Sequence, residues 1–362
     1  MKVDLAVGSL DPLEAARVAR AAERLGFDGL WVAETDHDPF AAIALAAAAT
    51  DRIELGTAVA IAFARSPTVL AQTAFDLARL SGGRFRLGLG TQVRGHVERR
   101  FGMVWSAPVP RLREWIGAIR AAWATWQDGA PFRYEGEILH LSLMTPLFSP
   151  PPLPADALAR AGAADGAHAV PISIAGVGAG LARLAGAVAE GFHVHPLHSA
   201  AYLDQVILPA IAAGERSAGR PSGSVGRIVP VLVADVDDPA AVERVRRQVA
   251  FYAATPTYRP VLELHGAARV GERLSRLAAT VRWDEMAGLV DDALLEEIAV
   301  LARRDEIATR VAARVAGRAE RVALAVPFAV AADGSVADEA WWRAAIATLR
   351  GWPRSTVRSQ RH

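Results

Sequence analysis

A chain of 362 residues, 52% hydrophobic and 22% charged with a formal net charge of +1, is long enough to bury a large α/β core, and its charge balance points to neither nucleic acid nor a membrane surface. No apolar run approaches the roughly 18 residues of a membrane helix, and Met1-Lys2-Val3-Asp4 begins no basic-then-apolar signal peptide, so a cytoplasmic location is expected. With no cysteine and Lys2 as the sole lysine, disulfides, thiol nucleophiles, thiolate metal sites and Schiff-base chemistry are excluded from the body of the chain.

Short β-rich runs alternate with alanine-rich amphipathic stretches, the pattern of repeated βα units. A first strand is expected at 2–7. Asp11, Pro12 and Glu14 then signal a helix start, and Gly26 its left-handed end. The second strand, 29–34, runs directly into Thr35, Asp36, His37 and Asp38, with Pro39 opening the next helix. Acid, hydroxyl and imidazole at the carboxyl end of a strand are where an α/β barrel places its chemistry. Further strands are expected at 53–60, 85–90, 171–176, 192–195, 227–234 and 321–326. Eight strands separated by helical segments predict an α/β fold of the (β/α)8 TIM barrel type, as one domain over 1–349. Two insertions lie at the C-terminal mouth. The first, about 103–169, holds a Trp-rich helix at 110–128, a hairpin at 132–140, the prolines Pro150 to Pro152 and an Ala/Gly-rich stretch at 155–169 that is expected to lack fixed structure. The second, 255–295, is expected to form a lid carrying Tyr258, Arg259 and His265, and 350–362 a basic, solvated tail.

Individual residues admit chemical readings beside structural ones. His37 suits general acid/base work because an imidazole titrates near working pH, although a loop histidine that bonds locally looks the same in sequence. Gly88 and Gly90 permit close backbone approach at a strand end. Gly176-Val177-Gly178 leads into a helix whose free amides favour a phosphate, or it is a plain βα turn. Arg94, Arg99 and Arg100 suit an anionic tail or a solvated helix face. His193 and His195, two apart on a strand, share one side and raise a metal-dependent hydrolase as a rival. That rival lacks further ligands: the last strand ends in Val326-Pro327-Phe328, and no lysine exists for a carboxylated bridge. No metal is therefore expected, and the two histidines are read as pocket or core residues.

Five segments in order, AETDHDPF (33–40), ELGTAVAIAFARSP (54–67), LSGGRFRLGLGTQVRGHVERRFG (80–102), AGVG (175–178) and EGFHVHP (190–196), resemble the bacterial luciferase-like superfamily of flavin and deazaflavin oxidoreductases, and most of all its probable coenzyme F420-dependent subgroup. The resemblance implies hydride transfer between coenzyme F420 and a small organic substrate, with His37 as general acid/base and Asp36 bonding the cofactor ring or orienting the imidazole. It implies a non-prolyl cis peptide near Ala58-Val59 behind the ring, contacts to ring or ribityl chain from Thr91, Gln92 and His96, and a phosphate site at Gly176, Val177 and Gly178. Trp105, Phe148, Tyr258 and His265 are candidate substrate-lining residues. A homodimer is expected, with no nucleic-acid or membrane partner. Departures from the family pattern include Val93 and Arg94 where some deazaflavin dehydrogenases carry a second acid, and Ala302 to Glu306 in place of a Gly-x-Pro-Glu helix start. An FMN-dependent luciferase-like monooxygenase is the alternative, and a barrel that binds a ligand without turnover is the non-enzyme reading.

Overall fold

The computed structural model describes residues 1–353; the expected tail beyond Pro353 lies outside the described residues. Eight parallel strands close into a barrel: β1 (Lys2–Val7), β2 (Gly29–Val32), β3 (Glu54–Thr57), β4 (Phe85–Gly90), β5 (Ile172–Gly176), β6 (Gly191–Val194), β7 (Gly226–Asp235) and β8 (Arg321–Ala325). Each strand pairs in parallel with the next, and β8 pairs back onto β1 with Lys2 opposite Arg321. Helices α1 (Pro12–Leu25), α2 (Pro39–Ala48), α3 (Pro67–Leu80), α4 (Pro108–Asp128), α5 (Ala179–Val188), α6 (Leu208–Ser217), α7 (Pro239–Ala253), α8 (Ile307–Val315) and α9 (Glu339–Gly351) include the outer ring. All eight expected strands are present, so the (β/α)8 reading holds.

The helix starts repeat one local solution. A short polar residue precedes a proline in Asp11-Pro12, Asp38-Pro39 and Ser66-Pro67, and each polar side chain accepts an orphan amide of the first turn, from Leu13, Phe40 and Val69 respectively. Gly26, at φ 93°, ends α1 in the left-handed region. Glu14 does not complete a capping box; its carboxylate pairs with Arg17 one turn on.

Strand alternation sorts the core. Leu5, Leu30, Leu55, Leu87 and Ile174 are fully buried and take the strand side that faces the helices, while the intervening positions line the barrel interior. There Arg321 forks onto Asp4 with two bonds of 2.6 Å and reaches Glu54 at 2.8 Å. The Arg321 guanidinium also lies over Trp31, 5.2 Å from its ring. Glycines on neighbouring strands make room: a Cβ on Gly29 would stand 2.6 Å from Arg321 Nη2, and one on Gly56 would stand 2.3 Å from the Trp31 ring. Burial pushes the Asp4 carboxyl above its ordinary range against the pull of Arg321. For Arg321, burial acts downward, but Asp4 and Glu54 carry the guanidinium above its usual value.

Several boundaries differ from the sequence expectation. The third run divides into Glu54–Thr57 and a two-residue strand Ala60–Ile61, separated by a cis peptide between Ala58 and Val59. The stretch 155–169 is ordered: Pro154 starts a helix over Ala155–Ala161, Gly162 ends it at φ 73°, and Ala157 and Ala161 are buried. An alanine-rich segment reads as low complexity in sequence, but a buried small-residue face is enough to order a short helix once a surface exists to receive it. A short strand Val300–Ala302, unforeseen, adds to the free part of β7. The tail reading also fails at its start, because α9 runs to Gly351 and Arg350 bonds Asp28 and the Gly26 carbonyl.

The Arg321 pairs join the first and last barrel strands through buried charge, so Arg321→Met, which strands Asp4, is expected to cost about 3–5 kcal/mol. Asp4→Leu combined with Arg321→Met is expected to lose much less, since no buried charge is then left unpaired at Asp4. Urea unfolding of the two variants checks the difference.

Candidate active site

The carboxyl ends of the strands open into a cleft of ≈ 580 Å³, within the range of small-molecule sites. Its walls come from distant parts of the chain: Glu34 after β2, Val59 after β3, Gly90 to Arg94 at and after β4, Ala175 to Gly178 at the end of β5, His195 after β6, and Tyr258 from the second insertion. Trp105, from the first insertion, forms part of the rim.

The wall at β3 and β4 is shaped by close packing. Val59 leans against Gly90, where a Cβ would stand 2.5 Å from the Val59 Cγ2 methyl. Thr91 is buried beside them. Gln92 holds φ at 55°, rare for a side-chain-bearing residue, and its Oε1 accepts the next amide, that of Val93, at 2.9 Å. Opposite, α5 begins at Gly178 without a side-chain cap, and Gly178, Gly180 and Leu181 face the cleft. The first-turn amides of α5 therefore meet the cavity unsatisfied by any cap, an arrangement that favours an anion. Arg94 adds a cation on the same rim.

The loop after β2 is clamped from several sides. Arg65 donates to both oxygens of Glu34 at 2.9 and 2.7 Å and to Asp38 at 2.9 Å. Glu34 also accepts the Ile61 amide at 2.7 Å. Arg100 donates to the Thr35 carbonyl at 2.6 Å, and the Thr35 hydroxyl to the Gly8 carbonyl at 2.7 Å. Asp36 is exposed and accepts from Ser9; the Ser9 and Thr35 hydroxyls beside it hold its carboxyl down to about 2. For Arg65, burial acts downward, and Glu34 and Asp38 outweigh it, raising the guanidinium above its ordinary value.

The residues singled out from sequence divide into two groups. Val59, Thr91, Gln92, Gly176, Val177 and Gly178 line the cleft together, as do Trp105 and Tyr258. Ala58 sits behind Val59 across the cis bond. His37 and Asp36 lie on the clamped loop outside the cleft lining; His37 is half-buried, and its ring has no hydrogen-bond partner among the described residues. His96 is exposed on the short helix Arg94–Arg99 and faces a neighbouring cavity of ≈ 480 Å³ between that helix and the second insertion. Phe148 is 68% exposed, and His265 is engaged with Ser199 at 2.8 Å; neither belongs to the cleft lining.

Sequence reasoning left Glu34, Ile61 and Arg65 out of the site. The signal for Glu34 was available, an acid at a strand end, but its pairing with an arginine 31 residues later leaves no local trace. Among the histidines, His193 lies deep in the barrel against Trp31, with ring centroids 5.0 Å apart. His195 stands one layer higher, on the cleft.

Comparison with known proteins places this architecture. Residues 3–321 match the family described as luciferase-like monooxygenase. An uncharacterized protein of Mycobacterium tuberculosis is 42% identical over 319 residues, spanning 86% of this chain and 90% of that protein. A 5,10-methylenetetrahydromethanopterin reductase of Methanolobus tindarius is 28% identical over 83% of this chain and 86% of its own length. Among solved structures, the coenzyme F420 dependent tetrahydromethanopterin reductase of Methanopyrus kandleri superposes with a TM-score of 0.74 at 19% identity, covering 96% of this chain and 98% of that one, a likeness of fold.

Burial pushes three imidazoles below their ordinary value of 6.5: His193 and His195 to about 3 and His198 to about 4. The unfolded chain takes up these protons near pH 6.5 and the folded chain resists them, so stability is at its plateau above pH 6.5 and is lost as pH falls toward the folded values. Each imidazole is expected to contribute a slope of up to about 1.4 kcal/mol per pH unit in that window. The urea midpoint should therefore drop between about pH 7.5 and about pH 5; an unchanged midpoint would contradict the buried, neutral assignment.

Proposed function

This chain belongs to the luciferase-like monooxygenase family, and we propose that within it the protein is an oxidoreductase that moves a hydride between coenzyme F420 and a small organic substrate. The observation that carries the reading is the joining, in one cleft, of a glycine-flanked wall at Val59 and Gly90 with the uncapped start of α5. A flat ring needs the first and an anionic tail the second. The residues present therefore fit a planar cofactor with a phosphate. The similarity to an F420-dependent glucose-6-phosphate dehydrogenase, 28% identical over 65% of this chain, and to a putative coenzyme F420-dependent oxidoreductase, 39% identical over 118 residues, supports the deazaflavin over FMN.

When bound, the deazaflavin supplies or accepts a hydride at C5 of its ring. Every other part of the reaction falls to the protein. Val59 and Gly90 would hold one ring face, Thr91 and Gln92 would offer polar contacts at its edge, and the amides following Gly178, with Arg94, would take the phosphate. His37 is assigned the proton: its ring is free of protein partners and half-exposed, so it can exchange with solvent, while the clamps on Glu34, Thr35 and Asp38 fix the backbone around it. Asp36, the preceding residue on the loop, is held ionised by the Ser9 and Thr35 hydroxyls.

Fluorescence titration of the cofactor-free protein tests the cofactor. Saturable quenching by oxidised coenzyme F420, with weaker binding of FMN, is the expected result. A preference for FMN would move the protein to the flavin monooxygenases, and binding of neither would remove the reading. His37→Ala is expected to keep F420 affinity while lowering turnover by roughly 100- to 10,000-fold, measured by the change in F420 absorbance.

A further inference from the structure

His195 is held in one protonation pattern by its surroundings. Its Nδ1 accepts the Leu197 amide at 3.0 Å, which places the ring proton on Nε2. The rings of Tyr252 and Tyr258 pack against the imidazole at centroid distances of 4.7 and 4.6 Å, so the ring has little freedom to turn. Tyr252 is engaged by Gln248 at 2.9 Å. Neither His195 Nε2 nor the Tyr258 hydroxyl has a hydrogen-bond partner among the described residues, and both side chains line the cleft. His193, two residues earlier on the same strand side, is sealed inside the barrel. Of the two, His195 is the one that lines the cavity, and its Nδ1 is already engaged by backbone.

We propose that His195 Nε2–H, together with the hydroxyl of Tyr258, whose ring packs against the imidazole, is the hydrogen-bond donor pair for the carbonyl oxygen of the substrate, which makes the substrate an aldehyde or ketone, or the corresponding alcohol in reverse. A fixed donor of this kind stabilises charge that develops on oxygen without having to reorganise. Burial keeps the imidazole neutral across the working range, so it polarises the carbonyl and does not itself give up the reaction's proton; that role stays with His37. In the reducing direction the carbonyl carbon gains a hydride from the reduced deazaflavin, which is oxidised. The carbonyl π pair moves to the oxygen, the oxygen is held by His195 and Tyr258, and one proton completes the alcohol.

The hydride in this step rests on the deazaflavin reading, but the donor pair is testable without it. 4-Dimethylaminocinnamaldehyde, whose absorption band moves to the red when its carbonyl oxygen is hydrogen-bonded, is titrated into the cofactor-free full chain. The wild type is expected to bind it with a red shift. His195→Gln, which restores an N–H donor, should keep much of the shift, His195→Phe should bind the probe without it, and Tyr258→Phe should lose part of it. F420 affinity of His195→Phe is expected to stay within about twofold, and F420-dependent reduction of the aldehyde to fall by roughly 100-fold or more. An undiminished shift in both His195→Phe and Tyr258→Phe, or no shift in the wild type, overturns the proposal. So does a tenfold or greater loss of F420 affinity in His195→Phe, since the donor would then serve the cofactor ring. A His195-dependent shift in a protein that binds no F420 supports the carbonyl site and overturns the deazaflavin reading alone.

Discussion

The barrel closes on a buried ion pair. Arg321 opens the last strand and Asp4 sits in the first, 317 residues apart in sequence, and their forked contact stands inside the seam where β8 meets β1. Arg321 is shared between Asp4 and Glu54, and a strand pairing that broke this contact would leave a buried charge unpaired, which disfavours other arrangements of the seam. Glu54 on β3 extends the network across the barrel floor, and Gly29 and Gly56 supply the space that the long side chains need. The interior above this floor is then set layer by layer, through Trp31 and His193 to His195 at the mouth.

Rigidity at the mouth is built by arginines reaching across strand ends. Arg65 ties Glu34 and Asp38, and Arg100 holds the Thr35 carbonyl, so the loop carrying His37 is fixed at its backbone while the imidazole is left free. In a chain whose sole lysine is Lys2, this work falls to planar guanidinium groups, which bind a carboxylate through two contacts and a carbonyl through one. The cleft and the clamped loop are thus separate parts of one rim: the first joins the Val59–Gly90 wall to the uncapped start of α5, and the second carries His37 outside the cleft lining.

The histidines show how position on one strand changes chemistry. His193 lies on β6 and His195 just past its end, and one packs edge-on against Trp31 in the barrel while the other lines the cleft between two tyrosines. Burial suppresses the charge of both. A neutral imidazole with its Nδ1 tied to backbone is a directional donor, suited to holding an oxygen and unsuited to shuttling protons at neutral pH. His37, by contrast, is half-exposed on the clamped loop, and its ring has no hydrogen-bond partner among the described residues.

The strand count, the βα alternation, the polar-proline helix starts and the glycine-rich strand ends were legible in the sequence because each is a local property: period-two burial, a cap that satisfies an amide, a backbone that must pass close to its neighbour. The same locality made Val59, Thr91, Gln92 and the 176–178 turn recoverable as positions that line the cleft. What local reasoning missed had long-range causes. The 155–169 segment is ordered by surfaces contributed elsewhere, His96 points to a second cavity because of how its short helix is set on the rim, and Glu34 is fixed by an arginine from another βα unit. By itself the sequence determined the barrel class and most of the strand ends that line the cleft. Only the tertiary structure decided which of those ends share a cavity, which charges pair and which imidazole lines the cleft, because those depend on the strand register and on burial, which exist only after the barrel has closed.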